Sequence, residues 1–232
     1  MTPIDRPSPN FNDRALPVQI IVLHYTGMAS AETAIARLAD PAAGVSAHWL
    51  VAEDGQVVRM VDESRRAWHA GKSFWRGISD VNSASIGIEI VNPGHEFGYR
   101  PFPHEQMNAV EALVMAAVQR FGIAPANVVG HSDIAPARKE DPGELFDWER
   151  LARAGLAMPR PPGGFDPGWT DAGTVMALGR YGYDISDASA AIVAFQRRFR
   201  PAKFDGAIDA ETRTILRNAL IAGSNKPGWT QV

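Results

Sequence analysis

The sequence predicts a mixed α/β protein, with a central, mostly mixed β-sheet flanked by helices and a small all-α domain of three helices at the C-terminal end. Three observations carry this. Apolar runs of strand length, VQIIVLHYT at 18–26 and ASIGIEIV at 84–91, are interleaved with segments of helical period such as 103–122. MPRPPGGFDPG at 158–168 holds four prolines and three glycines in eleven positions with no apolar periodicity, and reads as a linker. Beyond it only helical periodicity remains. The expected organisation is a larger domain over 1–157, the linker 158–168, and a helical domain over 169–232.

The run at 18–26 is rich in Ile and Val, as a buried central strand requires, and His24 sits near its C-terminal end. SAETAIARLAD (30–40) is expected to be helical, with Ser30 as N-cap and Ile35 and Leu38 on one face. Two alternating runs at 46–61 flank Asp54-Gly55, a strong hairpin signal. In 84–91 the alternation puts Ile86, Ile88 and Ile90 on one face and Gly87 and Glu89 on the other. Met107, Val110, Val114, Ala117, Val118 and Phe121 form a helical stripe in 103–122, stopped by Gly122. NVVGH (127–131) is a short strand delivering His131, and 146–156 is a helix capped by Asp147. Helices are expected at about 171–181, 188–199 and 210–222. Asp187 and Asp209 serve as N-caps, with Ile192, Phe195 and Phe199 in one apolar stripe and Ile215, Leu216 and Leu220 in another.

With 232 residues, 45% hydrophobic and 21% charged, the composition is that of a globular protein with a full core. A net charge of −3 without a Lys/Arg block argues against nucleic acid as the main partner. No run approaches the roughly 18 apolar residues of a membrane span, and MTPIDRPSPNFNDRALP lacks an export signal, so the expectation is a monomer in the cytoplasm. The absence of cysteine excludes disulfides, thiolate metal sites and cysteine nucleophiles. Any metal must therefore be held by His, Asp or Glu.

His131, Lys139 and Asp141 in GHSDIAPARKEDPG have the composition of half a metal-hydrolase site. A catalytic zinc takes three protein ligands and leaves a fourth position open. His24 and His131 both end apolar strands, which can present them side by side at one sheet edge. Taken alone, a histidine at a strand end is more often a hydrogen-bonded polar residue than a ligand. Glu89, interior to a strand, is either a water-facing position or a buried general base. Lys139 is either an oxyanion-stabilising cation or a loop lysine paired with Glu140 or Glu144.

LHYT, VSAHWLV, AWHAGKSFW, IGIEI and GHSDIAPARKEDPG, in this order and spacing over about residues 10–155, resemble the zinc-dependent N-acetylmuramoyl-L-alanine amidases, a family that includes phage amidase lysozymes and peptidoglycan-recognition proteins. The resemblance implies one Zn2+ on His24, His131 and Asp141, with Glu89 as catalytic acid/base and Lys139 stabilising the oxyanion. It places His48, Trp68, His69 and Trp75 along the substrate cleft and leaves His95 and His104 as surface residues. AFQRRF, the Asp205-Gly206 turn and IDAET resemble the three-helix peptidoglycan-binding module of wall hydrolases. The implied partner is peptidoglycan or a muropeptide, and the implied reaction is hydrolysis of the amide between the lactyl group of N-acetylmuramic acid and L-alanine. Two alternatives stand beside it: a non-catalytic muropeptide receptor and a zinc peptidase cutting within the stem peptide.

Overall fold

The computed structural model describes residues 2–224, so residues 225–232 of the expected helical domain lie outside the described residues. In chain order the elements are β1 (Ile4–Asp5), β2 (Phe11–Asp13), β3 (Ile20–Tyr25), α1 (Ala31–Ala39), β4 (Trp49–Val51), β5 (Val57–Arg59), β6 (Arg65–Ala67), α2 (Val81–Ala84), β7 (Ser85–Ile90), α3 (Gly94–Phe97), α4 (His104–Phe121), β8 (Val128–Gly130), α5 (His131–Ile134), α6 (Trp148–Arg153), α7 (Asp171–Tyr181), α8 (Ala188–Phe199) and α9 (Ala210–Ser224). The fold is mixed α/β. Six strands form one sheet in the order β1-β5-β4-β7-β3-β8, and β2 pairs with β6 in a separate ribbon. Within the large sheet β4 and β5 are antiparallel, whereas β4, β7, β3 and β8 run parallel.

β3 lies between β7 and β8, and Ile20 to Leu23 are fully buried, which explains why this segment is a continuous apolar run. Alternation then divides the core. Ile21, Leu23, Ile86, Ile88 and Ile90 pack with Met107, Val110 and Val114 of α4 on one face. Ile20, Val22 and Val129 face the other way and pack with Tyr181, Ile192, Phe195 and Phe199 of α7 and α8. His24 and Glu89 are register partners on β3 and β7, so both project from this second face, at the carboxyl ends of parallel strands.

Caps set the helix limits much as the sequence indicates. Ser30, Asp147 and Asp187 each accept a hydrogen bond from a backbone N–H in the first turn, and Asp209 accepts one from Thr212. Gly122, at φ 66°, closes α4 with its N–H on the Val118 carbonyl. The helix expected over 146–156 is shorter, Trp148–Arg153, because the chain turns at Gly155 with φ 73°. His131 does not close a strand. It opens the short α5, directly after β8 ends at Gly130.

The C-terminal helices share a core with the sheet. Residues 158–168 hold no regular element, yet Met158 is buried in the common cluster, and Asp166 and Pro162 bond to Arg213 and Asn218 of α9. At the centre of the joint, buried Asp133 accepts hydrogen bonds from the Arg198 guanidinium at 2.9 Å and the Tyr183 hydroxyl at 2.5 Å. Arg198 also stacks on Trp148 at 3.7 Å and donates to the Val128 carbonyl. Arg198→Met strands the Asp133 carboxylate without its charge partner, so a loss of about 3–5 kcal/mol of unfolding free energy is expected in a denaturant melt. Among the described residues no helix is long and apolar enough to cross a membrane.

Candidate metal centre

Three buried side chains converge at the carboxyl ends of β3 and β8. His24 Nδ1 lies 2.9 Å from His131 Nδ1, and both lie 3.1 Å from Asp141 Oδ2. His24 comes from β3 and His131 from the first residue of α5. Asp141 comes from the following loop, which is pinned by the Ser132 N–H donating to the Asp141 carbonyl at 2.9 Å. Gly130 permits this approach, since a Cβ there would lie 2.7 Å from Pro142 Cδ. The loop is tied down further by Arg138, whose guanidinium donates to the carbonyls of Ala70 and Lys72.

The donor set suits zinc. Tetrahedral bonds of 2.0–2.1 Å have ligand-to-ligand edges of about 3.3 Å, close to the spacings found here. Three atoms this close cannot all be joined by hydrogen bonds between two imidazoles and one carboxylate oxygen, whereas a shared cation satisfies all three. His131 Nε2 lies 3.2 Å from the Ala70 carbonyl, which can only accept, so the hydrogen sits on Nε2 and the Nδ1 lone pair faces the cluster. Burial, reinforced by the His131 charge, pushes His24 down to about 4, so it is neutral and able to ligate at neutral pH. Burial alone would raise Asp141, but the two imidazoles beside it, His131 foremost, outweigh burial and hold the carboxyl below its usual range.

Glu89 stands beside His24 in register, and its Oε2 is buried with no hydrogen-bond partner. Burial, followed by the charge of Asp141, drives its pKa well above the ordinary carboxylate range, and Lys139 opposes this. The Lys139 charge also lowers His24, so one cation acts on both the acid and the ligand. Its side chain lies on the exposed loop after α5, beside an open groove of about 450 Å³ whose far wall is Asp187, the N-cap of α8, with Ser189 and Arg197 of that helix. The raised Glu89 value has a sign for stability. The folded state holds this proton more tightly than the unfolded chain, so the stabilisation is complete below about pH 4.3 and is lost as pH rises through the folded value. Glu89→Gln should therefore raise the melting temperature of the metal-free protein at pH 7, with the gain vanishing near pH 4.

The four expected cleft residues separate. Trp68 is half-buried and donates its indole N–H to Asn12 Oδ1. His69, 8% exposed, lies behind the cluster, with Nδ1 at 3.1 Å from His24 Nε2. The expectations for His48 and Trp75 are corrected. His48 is fully buried, its Nδ1 accepting from the Gly87 N–H at 2.9 Å while Nε2 meets the Arg65 carbonyl and the Arg14 guanidinium, and burial pushes it down to about 3. It braces β7 against the β6 side of the fold. Trp75 is 1% exposed and packs edge-on to Tyr181 and Tyr183, so it is part of the joint with the C-terminal helices. His95, expected at the surface, stacks on Tyr99 at 4.2 Å and bridges the Tyr25 hydroxyl to Glu144. No local sequence signal marks that network, because its members come from three separate segments.

A family model described as N-acetylmuramoyl-L-alanine amidase matches residues 14–144. The chain is 34% identical over 240 residues to the N-acetylmuramoyl-L-alanine amidase AmiD of Escherichia coli (strain K12), a match covering 88% of this chain and 82% of that protein. It is 41% identical over 107 residues to the 1,6-anhydro-N-acetylmuramyl-L-alanine amidase AmpD of Enterobacter cloacae, covering 46% of this chain and 55% of that protein. Among solved structures, the complex of E. coli AmiD with anhydro-N-acetylmuramic acid-L-Ala-D-gamma-Glu-L-Lys superposes with a TM-score of 0.79 at 33% identity, covering 93% of this chain and 94% of that one. Coverage that high takes in the C-terminal helices as well as the sheet.

Proposed function

Because the chain belongs to the N-acetylmuramoyl-L-alanine amidase family, we propose that His24, His131 and Asp141 hold one zinc ion and that Glu89 and Lys139 carry out the proton transfer and charge stabilisation of its reaction. The enzyme hydrolyses the amide between the lactyl group of N-acetylmuramic acid and L-alanine. The observation that carries the site assignment is the convergence of three ligand atoms within 2.9–3.1 Å beside the partnerless Oε2 of Glu89.

A zinc ion held by His24, His131 and Asp141 would supply Lewis acidity, acidifying water and polarising the amide carbonyl. Glu89 takes a proton from the attacking water, and its burial raises its basicity toward the range useful at neutral pH. The protonated carboxyl then passes that proton to the leaving L-alanine nitrogen, which departs as an amine rather than an amide anion. Lys139 places a fixed positive charge where the carbonyl oxygen becomes an oxyanion, so its attraction grows toward the transition state. The groove between Lys139 and α8 gives the stem peptide a path beside the loop that carries Asp141, with the exposed Lys139 available to peptide carboxylates.

The substrate this reading favours is a muropeptide carrying an anhydro sugar, the type of ligand bound in the E. coli AmiD complex. Incubation with a defined anhydro-muropeptide, followed by mass spectrometry, tests it. Release of the intact stem peptide is the expected outcome. A shortened peptide would identify a peptidase, and uncleaved but bound substrate a receptor.

A further inference from the structure

We infer that Ser85 and His69 form a hydrogen-bond relay that dictates which nitrogen of His24 faces the metal, making His69 a positioning residue for zinc capture. The inference rests on the zinc reading above. Its logic follows from counting hydrogens along a chain of four groups.

The relay begins at the Val81 carbonyl, which can only accept. Ser85 Oγ lies 2.6 Å from it and spends its single hydrogen there. The same Oγ lies 3.2 Å from His69 Nε2, so at this contact Ser85 accepts and the His69 hydrogen is on Nε2. A neutral imidazole has one such hydrogen, which leaves His69 Nδ1 bare. That bare nitrogen lies 3.1 Å from His24 Nε2, so His24 donates from Nε2 and its Nδ1 lone pair is turned toward His131 and Asp141. The opposite tautomer of His24 would aim a hydrogen at the metal position and two lone pairs at each other behind it.

The backbone supports the relay. Asn82 Oδ1 accepts from the N–H groups of both His69 and Ala70, at 3.0 and 2.7 Å. The Ala70 carbonyl, 3.2 Å from His131 Nε2, sets the second histidine, so one dipeptide orients both imidazole ligands. Gly87 makes room for it, since a Cβ at that position would fall 2.4 Å from the His69 ring.

Asn and Leu have nearly the same shape, but only Asn offers an oxygen near the place of Nδ1. His69→Leu and His69→Asn therefore separate hydrogen bonding from packing. Zinc affinity, read by competition with a chromophoric chelator, should fall about 10–100-fold in His69→Leu and stay close to the parent in His69→Asn. Nitrogen-15 spectra of the metal-free parent should show His24 protonated at Nε2, with that preference lost in His69→Leu. Equal losses in the two variants, unchanged zinc affinity in His69→Leu, or a metal-free parent protonated at His24 Nδ1 would each overturn the relay. If neither His69 variant folds, Ser85→Ala serves in the same spectra: mixed His24 tautomers support the relay, and a single retained Nε2–H tautomer refutes it. None of these readouts uses substrate, so a protein that passes them but leaves muropeptides uncut contradicts the amidase reading alone.

Discussion

Glu89→Gln lowers kcat for muropeptide hydrolysis by about 10²–10⁴-fold, the range that a positioned general acid–base group contributes. Gln keeps the size of Glu but can neither take the proton from water nor return it to the leaving nitrogen. The carboxylate is also the one titratable side chain of the cluster region whose buried oxygen has no partner inside the protein, so the change breaks no hydrogen bond at that oxygen. KM should consequently move little, because the missing proton transfer belongs to the transition state rather than to substrate binding. Single-turnover kinetics of the zinc-loaded variant check this. An acid/base role for this carboxyl also predicts that the limb of the parent pH–rate profile that reports its ionisation disappears in the variant.

Removing the metal, or Asp141, abolishes turnover while leaving the fold in place. The cluster lies at one edge of the sheet, and the hydrophobic core clusters continue on both faces without it. Asp141 contributes the only carboxylate of the ligand set, and it sits 3.1 Å from both imidazole nitrogens. Asp141→Ala leaves two neutral ligands and removes the charge that favours a dication, so zinc binding weakens together with activity. Treatment with a strong chelator should give the same loss in the parent, with circular dichroism unchanged and activity rising linearly to one added equivalent of zinc. Activity that survives exhaustive chelation would remove zinc from the account.

Much of this was legible in the chain because local signals and the three-dimensional arrangement coincide. The apolar run of β3 marks His24 near a strand end, and the Ile-Gly-Ile-Glu-Ile alternation of β7 puts Glu89 on the face opposite the isoleucines, whereas the register His24↔Glu89 that sets them side by side is a pairing between strands that no local pattern reveals. His131 and Asp141 are ten residues apart, so one compact loop brings them together. Other features depend on contacts distant in sequence. Trp75 is buried by Tyr181 and Tyr183, more than a hundred residues away, and nothing in AWHAGKSFW distinguishes an aromatic that lines a cleft from one that seals a joint. His48 and His69 likewise look like polar cleft residues until Gly87 is seen to admit one ring and donate its N–H to the other. The short strands β1, β2 and β6 carry no apolar run because β1 and β2 are exposed and β6 is mostly half-buried. The Pro/Gly-rich stretch 158–168 holds no regular element. Its composition does not reveal the hydrogen bonds that lay it along α9.

The most direct measurement of the central claim is hydrolysis of a defined anhydro-muropeptide in water enriched in oxygen-18, with mass analysis of both products. Attack of water on the lactyl carbonyl predicts one heavy oxygen in the new carboxylate of the muramic acid and none in the released, full-length stem peptide. Heavy oxygen in a peptide carboxylate, or cleavage that incorporates no solvent oxygen, would contradict it.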